Sequence, residues 1–232
     1  MLFDKIHNKG QAQLFKNRHL EYLTKTNPLV IWSMYVPIIT FFLYYSFQRF
    51  NAGAGTIILM FLAGMFSWSL FEYVIHRYAF HFMAENERAI KIVYIIHGNH
   101  HEYPRDKQRL FMPAVPSIIL ASVVFSLMYF VFYLFGSSQI VFTFFPGFMF
   151  GYLIYGSMHY AIHAWHPPFK WMKPLWRNHH LHHYKEQEKG FGVSSTLWDH
   201  VFGTMFDRRE KEDKEKVQEL MFRSPSQRQK VS

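Results

Sequence analysis

The hydrophobic residues of this chain are concentrated in four long runs, which polar and basic segments separate. The runs cover about residues 29–47, 56–75, 116–135 and 140–154. Because a helix needs roughly 20 apolar residues to cross the hydrocarbon core of a bilayer, this pattern predicts four transmembrane helices. The fourth run contains Pro146 and Gly147, so its helix is expected to be short, tilted or kinked.

Lysine and arginine are distributed very unequally among the segments between these runs. Of the 25, five lie in residues 1–27, six in 76–110 and 13 in 159–232, whereas 48–55 has one and 136–139 has none. Positive residues mark the cytoplasmic side of a membrane protein, so both termini and the loop 76–110 are predicted to be cytoplasmic. The net charge of +9 is then explained by topology and by anionic lipid head groups, and no nucleic-acid partner is expected.

The composition agrees with an all-α integral membrane protein of one domain. Half of the 232 residues are hydrophobic, with 26 Phe and 14 Tyr, and neither a secretory signal nor an internal repeat is visible. We expect a basic cytoplasmic segment at 1–27, a membrane domain at 28–206 and a charged, flexible tail at 207–232. Because the chain has no cysteine, a metal site would have to use imidazole and carboxylate groups.

Ten of the 15 histidines form four short groups just beyond the ends of the predicted spans. The groups are His76 and His81; His97, His100 and His101; His159 and His163; and His179, His182 and His183. All four fall on the side that the charge count makes cytoplasmic, although that count contains no information about histidine. This convergence predicts a common site just outside the membrane. The remaining five are expected at the surface or around that site: His7, His19, His166, His180 and His200.

The spacing HxxHH occurs twice, at 97–101 and at 179–183. On a helix the three histidines lie near one face, but the adjacent pair diverge by about 100°. Each adjacent pair is therefore expected to serve two different ions. His179 is preferred to His180 as the first histidine of the second motif, because His179 reproduces the spacing found at 97–101.

The other two groups have different spacings. His159 and His163 are four apart, so they share a helix face and can chelate a single ion. His76 and His81 are five apart and diverge by about 140° on an ideal helix. Either the helix ends between these two residues or they serve different partners.

Ten imidazoles divide into two ions with about five ligands each. Structural zinc sites usually take four ligands and favour cysteine, whereas a ligand-rich, all-histidine pair of sites suits two iron ions with positions left for O₂ or water. A purified sample is expected to hold zinc or nickel in some cases, because divalent affinity rises toward the end of the first row. A non-redox di-zinc protein is the alternative from another class, and it would be expected to mix carboxylates into the ligand set.

Five charged residues near the motifs are candidates for supporting roles, and no catalytic residue beyond the histidines is predicted. Glu72 and Asp106 are candidate acceptors for the second ring N–H of a metal-bound histidine. Arg105, Lys107 and Arg109 are placed to bind the carboxylate or phosphate head group of a lipid. The same three residues are equally well explained as topology charges.

Five segments carry a resemblance to a known family. They are "GQAQLFKNRHLEYLTKT" (10–26), "LFEYVIHRYAFH" (70–81), "HGNHHEYPRDKQRLFMP" (97–113), "HYAIH" (159–163) and "HHLHHYKEQEKGFGVSSTLWDHVFGT" (179–204). Together they resemble the fatty acid hydroxylase/sterol desaturase superfamily of membrane di-iron enzymes, and within it the fatty acid 2-hydroxylase branch. The resemblance implies four transmembrane helices under a cytosolic, histidine-rich helical cap, with the ten histidines above as ligands of a dinuclear metal site. It also implies O₂-dependent insertion of a hydroxyl group at C2 of a long acyl chain, either free or within a sphingolipid such as ceramide.

The chain departs from that family in two places. At Gly156 the family often has aspartate, so one contact around the metals is expected to be missing. The fused cytochrome b5 domain of many eukaryotic members is not seen, so a separate electron donor of the cytochrome b5, ferredoxin or reductase type is expected. This difference favours a bacterial inner membrane over the endoplasmic reticulum. A carotenoid or sterol hydroxylase, or a desaturase, remains an alternative, because the metal ligands do not fix the lipid substrate.

Overall fold

The computed structural model describes residues 6–206, and within this range the regular secondary structure is entirely helical. The α-helices there are α1 (Arg18–Leu23), α2 (Pro28–Phe50), α3 (Ala54–Val74), α4 (Glu87–Val93), α5 (Asn99–Glu102), α6 (Ala114–Leu134), α7 (Val141–Ala164), α8 (Lys173–Tyr184) and α9 (Leu197–Val201). Two π-helical turns, Ile75–Phe80 and Tyr94–Gly98, continue α3 and α4. Two 3-10 turns, Ser138–Ile140 and Lys170–Met172, precede α7 and α8. The predicted flexible tail, 207–232, lies outside the described residues.

Four helices are long and apolar enough to cross a membrane, which confirms the prediction of an all-α protein with four candidate spans. They cover Pro28–Phe50, Ala54–Phe80, Ala114–Leu134 and Ser138–Ala164. The fourth is not short, since it extends over 27 residues. It continues beyond the apolar run because polar side chains are accommodated within the helix; the Ser157 hydroxyl, for example, donates to the carbonyl oxygen of Leu153 at 2.7 Å.

Asparagine residues fix both ends of α2. The side chain of Asn27 accepts a hydrogen bond from the N–H of Leu29 at 2.9 Å, and Pro28 occupies the first turn, where its missing N–H has no intrahelical partner to lose. At the other end, Asn51 has a φ of 49°. This left-handed conformation ends the helix and lets α3 begin after a short turn.

The chain divides into two compact units, one of which consists of Phe15–Glu72 and Gln108–Met158. Within this unit, α3 and α7 are in backbone contact. A Cβ atom on Gly64 would lie 2.0 Å from the carbonyl oxygen of Phe144, and one on Gly147 would lie 1.9 Å from that of Phe61. Such close approach through small residues is how membrane helices gain packing energy when lipid and helix surface are equally apolar.

The second unit consists of the described parts of Met1–Leu14, Tyr73–Lys107 and His159–Ser232, and it contains all four histidine motifs. The first described residues are an integral part of it. The N–H of His7 donates to the carbonyl oxygen of Glu102 at 2.6 Å, and the Tyr184 hydroxyl donates to the side-chain oxygen of Asn8 at 3.0 Å. The basic composition of residues 1–27 gave no indication of this packing.

Candidate metal centre

The ten histidines of the four motifs come together as two groups of five. The first, called the His76 group, consists of His76, His81, His97, His101 and His182. The second, called the His100 group, consists of His100, His159, His163, His179 and His183. Within each group, one ring nitrogen from every residue lies within 4.8 Å of the others. Each group can therefore hold a metal ion.

The division between the groups follows helical spacing. In both HxxHH motifs the two histidines four apart share a group, as His97 and His101 do, while the middle histidine of the motif joins the other group. Residues four apart differ by only about 40° around a helix, whereas adjacent residues differ by about 100°. His100 is thereby separated from His101, and His182 from His183. This is the arrangement that the prediction of two ions per adjacent pair requires.

The two histidines of the first motif lie in one group because of a local change in the helix. His76 and His81 belong to one group although a regular α-helix would point them far apart. The chain forms a π-helical turn at Ile75–Phe80 and leaves the helix at His81. Because i→i+5 bonding widens the turn, residues five apart come nearer to one face. The ring centroids of His76 and His81 are 5.1 Å apart. Of the two alternatives that the sequence left open, the structure therefore shows the first: the helix ends between these residues, and they do not serve different partners.

The distances between Nε2 atoms match those between ligands of one ion. In the His76 group, His97 Nε2 lies 3.2 Å from His76 Nε2 and 3.0 Å from His101 Nε2. In the His100 group the separations are 2.8 Å for His100–His159, 2.8 Å for His163–His179 and 3.2 Å for His179–His183. Two nitrogens held at about 2.1 Å from one ion at a right angle are about 3.0 Å apart. The nitrogen atoms thus converge as a coordination shell does.

The hydrogen bonds of two rings fix which nitrogen carries a proton. His76 Nδ1 donates to the carbonyl oxygen of Phe191 at 2.5 Å, and His182 Nδ1 donates to that of Lys189 at 2.7 Å. A carbonyl oxygen can only accept, so in both rings Nδ1 is protonated and Nε2 keeps its lone pair. The Nε2 atoms of His81 and His182 are buried and have no hydrogen-bond partner among residues 6–206. A bound cation would satisfy these lone pairs, so the residues present fit a metal site.

Burial keeps the histidine rings outside the candidate spans neutral. Burial is the largest cause, and neighbouring imidazoles the next, of a pKa well below the usual 6.5 in six of these rings: His97, His100, His101, His179, His182 and His183. The same causes lower the pKa of His81 to about 2. Neutral imidazole is the form that binds a metal ion. The site is therefore ready for metal at neutral pH without a prior loss of protons.

The candidate supporting residues lie in differing environments. Glu72 is buried near the end of α3, and Asp106 is buried and accepts a hydrogen bond from the side chain of Gln11 at 3.3 Å. Their proposed contacts with metal ligands stay predictions. Arg105 is exposed, whereas the side chain of Arg109 is only 4% exposed and forms an ion pair with Glu21. The pairing favours a structural role for Arg109, and Arg105 is the better candidate for a head-group contact.

The space beside Gly156 is occupied by Phe111, which lies in the non-helical segment before α6. A Cβ atom at this position would lie 2.2 Å from the ring of Phe111, which is itself buried. The space that a family aspartate would need is therefore occupied by an aromatic ring. Glycine in place of the family's aspartate is therefore consistent with the packing of Phe111 at this position.

Sequence reasoning missed the loop at 189–192, which carries both carbonyl acceptors. The sequence "KGFG" offers no side chain that could be recognised as a partner for histidine, because the acceptors are backbone oxygens. Its two glycines were the available signal, since glycine in a loop often marks close approach of backbone to another group. Asp199 was missed because it binds backbone N–H groups of this loop, whose direction the sequence does not show.

Comparison with known proteins agrees with this site. A sequence model of the fatty acid hydroxylase family matches residues 61–204, which include all four histidine motifs. The chain is 36% identical over 210 residues to the ceramide very long chain fatty acid hydroxylase SCS7 of Saccharomyces cerevisiae, covering 87% of this chain and 52% of the yeast protein. It is 32% identical over 193 residues to the dihydroceramide fatty acyl 2-hydroxylase FAH2 of Arabidopsis thaliana, covering 83% and 79%. The chain thus spans about half the length of the yeast relative and about four fifths of the plant one.

A solved structure has the same fold. It is described as full-length scs7p with only the hydroxylase domain visible, and it superposes on this chain with a TM-score of 0.77. The two are 36% identical, and the match covers 86% of this chain and 74% of the other. The family match, the sequence identity and the shared fold lead to one conclusion: the chain belongs to the fatty acid hydroxylase family.

Proposed function

We propose that this protein hydroxylates C2 of a long acyl chain, in a free fatty acid or in a sphingolipid such as ceramide, with two iron ions and O₂. The observation that carries the proposal is the pair of five-histidine groups, in a chain related to ceramide and dihydroceramide fatty acyl hydroxylases. An unactivated C–H bond is beyond side-chain acid–base chemistry, so two bound iron ions would supply the oxidation.

The protein's own residues would provide the ligands and a dry environment. All donors in the two groups are imidazole nitrogens, a set that suits iron and leaves positions for O₂. Eight of the ten histidines are buried and the other two, His81 and His163, are half-buried, which keeps bulk water from the ions. The Phe191 and Lys189 carbonyl groups would hold two of the rings in the orientation that binding needs.

The proposed reaction needs a partner that donates electrons. One oxygen atom of O₂ enters the acyl chain and the other leaves as water, so each turnover consumes two electrons and two protons. We propose a separate donor of the cytochrome b5, ferredoxin or reductase type. Both termini would face the cytoplasm, as the distribution of Lys and Arg predicts, and we propose a bacterial inner membrane as the location.

The direct test is to express the chain with an electron donor in a host that lacks 2-hydroxylated lipids. Lipid mass spectrometry is expected to find acyl chains with one added oxygen atom, which fragmentation places at C2. Under labelled O₂ the added oxygen should carry the label, and under labelled water it should not. Label from water would contradict oxygenase chemistry and point to a hydrolase or hydratase.

The same lipid profile distinguishes the alternatives. A new double bond without a hydroxyl group would identify a desaturase. Altered carotenoids or sterols with unchanged acyl chains would keep the metal site and replace the proposed substrate. Activity that persists with zinc alone, in the absence of O₂, would establish the non-redox alternative.

Acidification is expected to release the ions and destabilise the histidine-bearing unit. The pKa of each buried ring outside the candidate spans is lower in the folded chain than its ordinary value of 6.5, so the folded state binds fewer protons than the unfolded one. Stability from these groups is therefore fully present above about pH 6.5 and is lost as pH falls below that value.

The measurement is ion content and thermal unfolding after dialysis at a series of pH values from about 8 to about 5. A chelator at neutral pH serves as the control, because it removes metal without protonating the rings. Unchanged ion content down to the acid end of the series would contradict the assignment of neutral histidine ligands.

A further inference from the structure

Two ligands of the His76 group depend on one short loop. Residues 189–192, here called the carbonyl loop, connect α8 to the segment before α9. The carbonyl oxygen of Lys189 accepts from His182 Nδ1, and that of Phe191 accepts from His76 Nδ1. Both rings belong to the His76 group, so the position of this loop bears on one of the two proposed ions. What fixes the loop therefore fixes the orientation of two ligands.

Asp199 fixes the carbonyl loop through its backbone N–H groups. Its Oδ1 accepts from the N–H of Phe191 at 2.9 Å and from the Thr204 hydroxyl at 2.8 Å. Its Oδ2 accepts from the N–H of Gly192 at 2.9 Å and from the side-chain amide of Asn178 at 3.2 Å. The residue is completely buried. Four donors directed at a buried carboxylate form a strong and geometrically specific connection.

The conformation of the carbonyl loop leaves little freedom for adjustment. Gly190 has a φ of 72°, a left-handed value that favours glycine, and its N–H donates to the carbonyl oxygen of Thr204 at 2.9 Å. A Cβ atom on Gly192 would lie 2.1 Å from the carbonyl oxygen of Ser195 and 2.8 Å from Asp199 Oδ2. The loop backbone thus lies directly against the carboxylate, with no side chain between them.

We propose that Asp199 is a positioning residue for the ion of the His76 group. It holds the N–H groups of Phe191 and Gly192, and through them it aims the loop carbonyl groups at His76 and His182. Those carbonyl groups keep Nδ1 protonated, so that the Nε2 lone pairs are directed at the ion. The inference rests on the proposed binding of two metal ions and adds a residue that acts on only one of them.

A positioning role and a purely structural role of Asp199 predict different effects on the two ions. If Asp199 merely stabilised the unit, its replacement would weaken both ions together, because both groups share α8 and α5. A positioning role through the carbonyl loop predicts that the His76 group loses its ion while the His100 group keeps its own. Outer contacts of this kind typically contribute about 10–100-fold to metal affinity.

The test is Asp199→Asn in the full chain, purified in detergent, stripped of metal and titrated with Co²⁺ alone. Asparagine keeps the size of the side chain but places an amide N–H₂ against one of the two pairs of donors. The unchanged chain is expected to bind two Co²⁺ ions. In the variant we expect one ion to bind normally and the other about 10–100-fold more weakly, with loss of one component of the visible Co²⁺ spectrum.

Tyr73→Phe is the matched control. The Tyr73 hydroxyl lies 2.9 Å from the Thr204 hydroxyl and accepts a hydrogen bond from Arg77 at 2.9 Å. Its ring packs edge-on against the side chain of Phe191, a contact that phenylalanine would preserve. Removing the hydroxyl deletes two hydrogen bonds beside Asp199 but leaves the carboxylate and its bonds to the carbonyl loop in place, so both ions should bind with unchanged affinity. A selective loss in Tyr73→Phe equal to that in Asp199→Asn would overturn the proposal.

Two further outcomes would also overturn it. Equal affinities in Asp199→Asn and the unchanged chain would show that the carboxylate does not position the ligands, and joint loss of both ions would show a purely structural role. If the unchanged chain binds no Co²⁺, the proposed metal function fails and this inference fails with it.

Hydrogen exchange on the unchanged chain tests the proposal even if the Asp199→Asn variant does not fold. Hydrogen exchange at the amides of Phe191 and Gly192 should remain slow after the metal is removed, because Asp199 holds them independently of the ion. Fast exchange at these two amides in the stripped protein would mean that the metal orders the loop, and it would refute the proposal.

Discussion

Replacing His159 by alanine is expected to abolish acyl hydroxylation and to reduce the bound ions from two per chain to one. His159 Nε2 lies 2.8 Å from His100 Nε2, which is the separation of two ligands on one ion, and its side chain is only 5% exposed. Loss of a group that merely orients a ligand lowers affinity or activity by about 10–100-fold, so loss of the ligand itself should exceed that range. Ion content and lipid products are measured on the same preparation.

His166→Ala provides the matched control for this experiment. His166 lies shortly after α7, is exposed and belongs to neither group, so its replacement should preserve both ions and the activity. His159→Gln separates lost coordination from lost packing, because glutamine fills similar space without an imidazole. Activity retained in His159→Ala, or restored by glutamine, would contradict the assignment of His159 as a ligand.

The expected loss of one ion follows from how the motifs are shared. The first motif contributes to the His76 group alone, and His159 and His163 contribute to the His100 group alone. The two HxxHH motifs contribute to both groups and connect them. A substitution at His159 therefore removes a ligand from one group while every ligand of the other remains. A substitution within an HxxHH motif would disturb the element that both groups share.

The four spans were predictable because hydropathy measures the property that a bilayer selects. Every candidate span coincides with one of the predicted apolar runs to within a residue or extends beyond it. The end of the last span was not predictable in this way, since the apolar run stops near residue 154 whereas α7 continues to Ala164. Continuation of a helix depends on backbone hydrogen bonds, which hydropathy does not register. The polar end of α7 carries His159 and His163 one helical turn apart, which is the spacing that places them in one group.

The histidine groups were visible in the sequence because side-chain donors must repeat at helical spacing to converge on an ion. Their supports were not visible. The π-helical turn at Ile75–Phe80 arises from a local change in backbone bonding that leaves no compositional mark. Asp199 acts on backbone N–H groups, and the direction of such groups depends on how the carbonyl loop folds in three dimensions. Neither feature follows from residue type or spacing.

Gly147→Ala is expected to prevent stable packing of the membrane helices. The added Cβ atom would lie 1.9 Å from the carbonyl oxygen of Phe61, and a backbone atom cannot move aside as a flexible side chain can. α3 and α7 would have to separate, which also disturbs the contact of Gly64 with Phe144. Overpacking of this type lowers the free energy of unfolding by about 1–3 kcal/mol and sometimes by more.

Gly55→Ala makes the same chemical change in α3, where a Cβ atom meets nothing within 4 Å. There alanine reduces the freedom of the unfolded chain and should leave stability unchanged or raise it by about 0.4–1 kcal/mol. The two substitutions are therefore expected to shift the unfolding midpoint in opposite directions, as measured by circular dichroism during denaturation in detergent. Because α7 also carries His159 and His163, Gly147→Ala should lose metal as well as stability. Equal midpoints for the two variants would mean that α3 and α7 are not in backbone contact at Gly147.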